Sequence, residues 1–308
     1  DFCLSRGLGD VYKRQIYDLP APAKLNLFLH VTGRRDDGYH LLQSVFMLID
    51  WCDTLHVELR GDGQLSREDL TVPLPADDLV LRAARALQTH AAPGQGAHIG
   101  VAKHVPSQAG MGGGSSDAAT CLLALNRLWN LRLPLSELAR IGLSLGADVP
   151  FFLSGHNAWV EGIGEKIRPI ELPSARFVVV KPRGGLDTRL IFSADDLQRA
   201  SPVAIITGFA AVREQHADQN LLSLGEEVFD FGHNDLQPVA QRLCPAITEA
   251  IDWLGARGLN ARMTGSGSSV FARMQQEPQN AELLSGPTGW QVRQCNNLAA
   301  HPLRGWAD

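Results

Sequence analysis

One glycine-rich stretch decides how this chain folds: Pro106-Ser107-Gln108-Ala109-Gly110-Met111-Gly112-Gly113-Gly114-Ser115-Ser116-Asp117-Ala118-Ala119. Its glycines let successive backbone N–H groups point at an anion, and the helix predicted after it turns its positive end the same way. Apolar residues follow Ser115 at helical spacing: Ala118, Cys121, Leu122, Leu125, Leu128 and Trp129. We interpret the stretch as a phosphate cradle. A glycine linker is the alternative, but a linker would lack Pro106, the paired serines and the immediate apolar register.

Two better-known glycine motifs do not fit this stretch. A Walker loop closes with Gly-Lys-Ser/Thr, whereas this one closes with Gly114-Ser115-Ser116. A dinucleotide fingerprint that began at Gly110 would need glycine or alanine at Ser115. A third type of cradle remains, in which serine hydroxyls at the helix start hold a phosphate oxygen or a metal ion that bridges phosphates.

Length and composition are typical of a soluble enzyme with one large or two ordinary domains. The chain has 308 residues, is 44% hydrophobic and 20% charged, and carries a formal net charge of −5, which argues against nucleic acid as a partner. Its five cysteines include no close pair with metal-ligand spacing, so structural thiols in a reducing compartment are expected. No apolar run approaches the ~18 residues of a membrane span, and we predict a cytoplasmic protein without a membrane partner.

The pattern along the chain predicts an α+β or mixed α/β class. Residues 1–15 resemble translated adapter or cloning sequence, so we treat them as a probable non-native leader. The residue pattern changes before the apolar run 177–180, and this change predicts a domain boundary near residue 172. The predicted domains are therefore 16–172 and 173–308. Strands are predicted at 23–31, 45–49, 54–59, 98–105 and 177–180, and helices at 79–90, from 115, at 134–146, 207–215 and 236–256.

Two further segments carry polar residues in patterned surroundings. Within the predicted strand 23–31, apolar and polar residues alternate, so Lys24 and Asn26 should emerge on the same face. Near the C-terminus a second glycine turn, Thr264-Gly265-Ser266-Gly267, precedes a predicted strand. Taken alone, this turn is equally well a β-bulge or a hairpin turn that binds nothing.

Three features, in chain order, resemble the signature motifs of the GHMP small-molecule kinases: Pro22-Ala23-Lys24-Leu25-Asn26-Leu27, the stretch 106–119 and Thr264-Gly265-Ser266-Gly267. Two others are similar to segments of those GHMP kinases that act on a cytidine diphosphate-linked polyol: Asp37-Gly38-Tyr39-His40 and Gly146-Ala147-Asp148-Val149-Pro150-Phe151-Phe152. The similarity runs from about residue 18 to the C-terminus. It implies a two-domain α+β fold, with an N-terminal β-rich α+β half, a ferredoxin-like C-terminal half and the active site in the cleft between them.

The resemblance also implies a reaction and its partners. The γ-phosphate of ATP would pass to the 2-hydroxyl of the polyol, in the non-mevalonate route to isoprenoid precursors, with Mg²⁺ as the metal. Small molecules would be the only substrates, and the chain would act as a monomer or weak homodimer. Two rival interpretations stay open. A GHMP kinase for mevalonate, homoserine or a sugar would not need residues 37–40, and a non-catalytic nucleotide-binding module would not need both Lys24 and Asp148.

Catalytic roles follow from the needs of phosphoryl transfer, which are positioning, charge neutralisation and a proton acceptor. Asp148 is the candidate acceptor, although an aspartate in a turn often bonds only its own backbone. The resemblance pairs Lys24 with it as the second catalytic residue, where a solvated strand lysine is the alternative. Asn26 would bind the polyol.

Binding roles are assigned to two groups of residues. Tyr39 and His40 would stack on and test the pyrimidine, unless they are simply exposed turn residues, and Thr188 resembles a family position near the substrate. Lys103 resembles a family residue near the adenine and ribose. The remaining predicted ATP contacts are Pro106, Gly110, Met111, Gly112, Gly113, Gly114, Ser115 and Ser116, with Ser116 as the metal ligand. Asp78 departs from the family, which carries asparagine there, so an amide donor to the nucleotide base is replaced by an acceptor-only carboxylate.

Overall fold

Two β-sheets with helices packed against them form the protein, a computed structural model that describes residues 15–209, 221–275 and 285–307. The strands are β1 (Gln15–Arg34), β2 (His40–Arg60), β3 (Leu65–Asp69), β4 (Gly96–Ala102), β5 (Asn157–Gly162), β6 (Lys166–Glu171), β7 (Arg176–Lys181), β8 (Leu222–Ser223), β9 (Ala261–Met263), β10 (Val270–Met274) and β11 (Gln291–Asn296). The helices are α1 (Leu79–Gln88), α2 (Gly113–Leu128), α3 (Leu135–Leu145), α4 (Val149–Ser154), α5 (Thr188–Phe192), α6 (Gln237–Leu243) and α7 (Ala246–Gly255), with 3-10 turns at Ile206–Phe209 and Glu226–Phe229.

The first sheet is built on the long antiparallel pair β1 and β2, in the strand order β3-β4-β2-β5-β6-β8 with β1 on β2. β2 pairs with β5 near its start and with β4 near its end. The two strands predicted at 45–49 and 54–59 are therefore one. The prediction missed this because Asp53 interrupts the apolar pattern, yet it is fully buried and its carboxylate accepts the backbone N–H groups of His104 and Val105. Those same bonds end β4 at Ala102, three residues before the predicted end.

Helices α1 to α4 pack on the first sheet around a shared apolar core that includes Leu55, Ile99, Leu122 and Phe151. The predicted helix at 134–146 is α3, and the predicted helix at 79–90 is α1. No helix in the described ranges is long and apolar enough to cross a membrane. Gln15, the last residue of the predicted leader, pairs with Glu58 at the start of β1; residues 1–14 lie outside the described chain.

The second sheet is antiparallel throughout, in the order β11-β7-β10-β9, with α6 and α7 contributing to its core. This order is that of a ferredoxin-like sheet, and the two sheets together confirm the predicted α+β class. The predicted helical segment 236–256 is two helices, because Pro245 disfavours helical backbone at Cys244. Of the helix predicted at 207–215, residues 207–209 form part of a 3-10 turn, and the rest falls outside the described residues.

The segment that follows β11 returns to the first sheet. The N–H of Leu298 donates to the Leu48 carbonyl at 2.9 Å, and the N–H of His301 donates to the Gly155 carbonyl at 2.8 Å. Leu303 and Ala307 are buried in the core formed with α1 to α4. The predicted boundary near residue 172 does separate β6 from β7, but both this tail and β8 belong spatially with the first sheet.

Acidic conditions should loosen this tail. His301 is buried, and burial lowers its pKa to about 4. Between about pH 6.5 and pH 4 the unfolded chain binds a proton there that the folded chain does not, so stability falls as pH drops through this window, by roughly 3 kcal/mol in total. Chemical denaturation from pH 7.5 to 4 measures it.

The variant His301→Gln, which keeps a hydrogen-bond acceptor, should flatten that part of the profile. His90→Gln, at an exposed position after α1, should leave the profile as it is. Parallel profiles for the parent and His301→Gln would contradict this account.

Candidate active site

The three segments that resemble kinase motifs meet in space. The backbone N–H of Lys24 donates to the Met111 carbonyl at 2.9 Å. The N–H of Asn26 donates to Thr264 Oγ1 at 2.9 Å. Since these residues come from β1, the glycine stretch and the turn before β10, the fold brings the predicted motifs together at one point between the two sheets.

Glycine is required where these segments touch. Gly110 has a φ of +72°, and a Cβ there would lie 2.2 Å from the Thr264 carbonyl oxygen. Gly265 has a φ of +54°, and its Cβ would lie 2.5 Å from the Gly110 carbonyl oxygen. The turn at 264–267 joins the antiparallel strands β9 and β10 and packs against the cradle.

Helix α2 presents an uncapped N-terminus to a cleft of about 420 Å³. Its N-cap is Gly112, at φ +71°, which has no side chain to bond the free N–H groups of the first turn. Such an end is a ready site for an anion. The helix starts at Gly113, two residues before the predicted start. The predicted ATP contacts that line this cleft are Lys103, Pro106, Gly110, Met111, Gly112, Gly113, Gly114 and Ser115.

Of the two serines, only Ser115 lines the cleft. The hydroxyl of Ser116, the predicted metal ligand, is fully buried beneath the cradle and has no hydrogen-bond partner among the described residues. The described chain also has no group of three or more His, Cys, Asp or Glu side chains able to hold a metal.

Lys103 lines the 420 Å³ cleft at the start of α2, called the nucleotide cleft from here on. Two buried carboxylates hold its side chain. Its Nζ donates to Asp53 and, at 2.5 Å, to Asp117 Oδ2. Burial acts to lower the pKa of Lys103, but Asp117 and Asp53 together raise it above its usual value. Burial, together with the neighbouring Asp53 carboxylate, raises the pKa of Asp117 against the opposing effect of Lys103. Sequence reasoning missed both carboxylates, although a charged residue on an otherwise apolar face was visible at each position.

Asp78 uses its carboxylate within the fold. It is the N-cap of α1, where it accepts the backbone N–H of Leu81 at 3.1 Å, and it lies 2.6 Å from an Arg67 Nη1 nitrogen. Asp78 still lines the nucleotide cleft. Asp78, where the family carries asparagine, thus forms an ion pair with the buried Arg67 side chain and has no amide N–H to donate.

Lys24 and Asp148 face each other at the centre of the site, with Nζ and Oδ2 3.7 Å apart. Lys24 is buried, lies 4.5 Å above the centre of the Phe46 ring and also donates to Asn26 Oδ1. Burial lowers the pKa of Lys24, and Asp148 opposes that shift. Asp148 is the N-cap of α4, and its side chain is 31% exposed. Both residues line a cleft of about 270 Å³.

The predicted base-binding residues lie along a third cleft, of about 520 Å³. Tyr39 is 60% exposed, and the His40 ring centre lies 5.0 Å from that of Phe192. Sequence reasoning missed Phe192 as a residue of this cleft. Its position as an aromatic residue at the end of a short amphipathic segment was the available signal. Thr188 does not line this third cleft. It lines the cleft that holds Lys24 and Asp148, and its Oγ1 is 2.7 Å from Ser266 Oγ.

The three clefts form one track because their linings overlap. The nucleotide and central clefts share Gly110, Gly112, Thr188 and Ser266, and the central and base clefts share Leu42, Ile163 and Phe192. An anion cradle, a lysine–carboxylate pair and an aromatic cleft therefore follow one another along the interface of the two sheets.

The sequence matches two family models, described as GHMP kinases N terminal domain over residues 78–156 and GHMP kinases C terminal over residues 209–285. A crystal structure of a mevalonate kinase from Methanococcus jannaschii shares the fold, with a TM-score of 0.62 at 15% identity over 92% of this chain and 98% of that one. Fold, motifs and site together define a small-molecule kinase of the GHMP class.

Relatives with higher sequence identity show which family within this class the chain belongs to. The curated 4-diphosphocytidyl-2-C-methyl-D-erythritol kinase of Variovorax paradoxus (strain S110) is 80% identical over 96% of this chain and 99% of its own length. That of Albidiferax ferrireducens is 63% identical over 96% of each chain. A crystal structure of 4-(cytidine 5'-diphospho)-2C-methyl-D-erythritol kinase has a TM-score of 0.75 at 31% identity and covers 92% of this chain and 98% of that one. The chain belongs to the 4-diphosphocytidyl-2-C-methyl-D-erythritol kinase family, as the five motifs predicted.

Proposed function

We propose that this protein transfers the γ-phosphate of ATP to the 2-hydroxyl of 4-diphosphocytidyl-2-C-methyl-D-erythritol, giving the 2-phosphate and ADP in the non-mevalonate isoprenoid pathway. The observation that carries the proposal is the continuous track, which places the Lys24–Asp148 pair between a phosphate cradle and an aromatic cleft. The names of the relatives support the same substrate.

The geometry supports a direct transfer. The free N–H groups at the start of α2 would hold the ATP phosphates, while the Lys24 ammonium offsets charge on the moving phosphoryl group. As the 2-hydroxyl oxygen bonds to the γ-phosphorus, the bond from that phosphorus to the β–γ bridging oxygen breaks and ADP leaves. The hydroxyl proton passes to the Asp148 carboxylate. Asn26, held by Ser44 at 2.9 Å, would orient the polyol.

We further propose that Mg²⁺ accompanies ATP. Serine hydroxyls at the head of α2 fit a hard cation that prefers oxygen ligands, and Ser115 lines the nucleotide cleft. The buried, unpartnered Ser116 hydroxyl would have to turn out from beneath the cradle to serve as the predicted ligand. When bound, the ion neutralises charge on the β- and γ-phosphates. We also propose that the protein acts as a monomer or weak homodimer. Free cysteines such as Cys52 and Cys244 are consistent with a reducing, cytoplasmic setting.

A substrate comparison tests the proposal against its rivals. Coupled ADP release with Mg-ATP should be fast only with the cytidylated methylerythritol, and background with mevalonate, phosphomevalonate and homoserine, because only the first substrate fills the aromatic cleft. Comparable turnover with mevalonate or homoserine would reject the substrate assignment and keep the kinase. No turnover with any of them would favour a nucleotide-binding module.

Loss of the Tyr39 ring should weaken substrate binding. Tyr39→Ala should raise KM for the cytidylated substrate about 5–150-fold, since one base–aromatic stack contributes roughly 1–3 kcal/mol. KM for ATP and kcat should change little, because Tyr39 lies outside the nucleotide cleft. Steady-state kinetics measure both constants. Tyr17→Ala, at another exposed tyrosine, is the matched control, and an unchanged substrate KM in Tyr39→Ala would make Tyr39 a turn residue only.

A further inference from the structure

Arg199 connects the segment that follows α5 to the base cleft. Its Nε lies 3.1 Å from His40 Nε2. The two other nitrogens of the guanidinium donate to backbone carbonyls of the same segment, at 2.6 Å to Ala194 and 3.2 Å to Leu197. The guanidinium is therefore held in place by the backbone, and its Nε–H donates to Nε2 of the His40 ring.

This contact fixes the protonation of His40. An arginine side chain has donors only, so His40 Nε2 must be the acceptor, and a neutral ring then carries its proton on Nδ1. Two guanidinium groups act on this ring, those of Arg199 and Arg34. Together with burial, which is the largest effect, they lower the pKa of His40. Asp37 and Arg189 also line the cleft.

We infer that Arg199 is a positioning residue that holds His40 as an Nδ1–H donor and so makes the cleft select cytosine over uracil. The inference rests on the proposed function. Ring atom N3 of cytosine is an acceptor, which an Nδ1–H group complements, whereas N3 of uracil carries a hydrogen and would meet that group donor to donor. A polar group of the site that loses its partner when the wrong base binds is what gives such a site its discrimination.

Arg199 could instead serve only to fold its segment, and a neighbouring arginine separates these roles. Arg242 pairs with Asp196 of the same segment at 2.8 Å and is absent from the lining of the base cleft. Arg242→Met therefore removes a structural contact and leaves His40 untouched. Arg199→Met removes the donor to His40, and Arg199→Gln retains one N–H donor.

Kinetics with the cytidylated substrate and its uridylated analogue give the first test. In Arg199→Met, KM for the cytidylated substrate should rise about 10-fold, the value of one lost hydrogen bond, with kcat within about threefold. The preference for cytosine should shrink by a similar factor. KM should also climb as pH falls through a range where the parent stays flat, because one cation no longer opposes protonation of His40. Arg199→Gln should recover part of the preference, and Arg242→Met should retain all of it.

Nitrogen-15 NMR of the histidine rings gives the second test, with His40 assigned by its loss in His40→Phe. The parent at pH 7 should show a neutral ring protonated on Nδ1, and Arg199→Met a mixture of tautomers. A parent ring protonated on Nε2, or an unchanged base preference in Arg199→Met, would overturn the inference. If Arg199→Met does not fold, the parent spectrum and Arg199→Gln still decide. Failure of the parent to phosphorylate the cytidylated substrate would reject the proposed function and leave the tautomer result standing.

Discussion

Replacing Asp148 by asparagine should lower kcat by about 10²–10⁴, the usual contribution of a positioned general base. The amide keeps the shape of the carboxylate but cannot take the proton of the attacking hydroxyl. The Asp148 side chain is partly exposed and makes no N-cap hydrogen bond, so the fold should survive the change. KM for ATP and for the cytidylated substrate should stay close to the parental values, which steady-state kinetics and a thermal melt measure.

Two further variants make this test stricter. Asp252→Asn, at an exposed position on α7, is the matched control and should be neutral. Lys24→Met should also slow turnover, and the double variant should be little worse than the poorer single one, because residues that act as a unit are not additive. An Asp148→Asn enzyme that binds both ligands and turns over at near the parental rate would remove Asp148 from the chemistry.

Adding one methyl group at Gly110 should damage both stability and catalysis. An alanine there would need a left-handed backbone and would drive its Cβ to 2.2 Å from the Thr264 carbonyl oxygen. Strain and overpacking together should reduce the free energy of unfolding by about 2–5 kcal/mol. Since the cradle must shift to relieve the clash, kcat/KM for ATP should fall by about 10² or more.

Gly61→Ala is the control for this prediction. A Cβ at Gly61 would have no atom within 4 Å, so that variant should match the parent in denaturant titration and in ATP kinetics. Parental stability of Gly110→Ala would show that the contact between the cradle and the 264–267 turn is not tight in solution.

The sequence predicted the position of the cradle because glycine marks the points where its backbone is constrained. Gly110, Gly112 and Gly265 each combine a positive φ with a close neighbour that a Cβ would clash with, so glycine at these positions marks a constrained backbone. The alternation around Lys24 predicted that it shares a face with Asn26. Long-range partners could not be predicted in this way. From the sequence, Asp53 looks like a break in a strand, because its hydrogen bonds to the residues just before the cradle are not visible there. Arg199 likewise looks like an ordinary surface charge, because its contact with His40 spans 159 residues of sequence.

Phosphorus NMR of the complete reaction tests the central claim most directly. With Mg-ATP and 4-diphosphocytidyl-2-C-methyl-D-erythritol, the account predicts one new phosphomonoester signal that appears in step with ADP. That signal should couple to the carbon at position 2, while the cytidine diphosphate signals of the substrate remain intact. Release of inorganic phosphate in place of that signal, or a phosphomonoester on another hydroxyl, would contradict the assignment of Lys24 and Asp148 to transfer at the 2-hydroxyl.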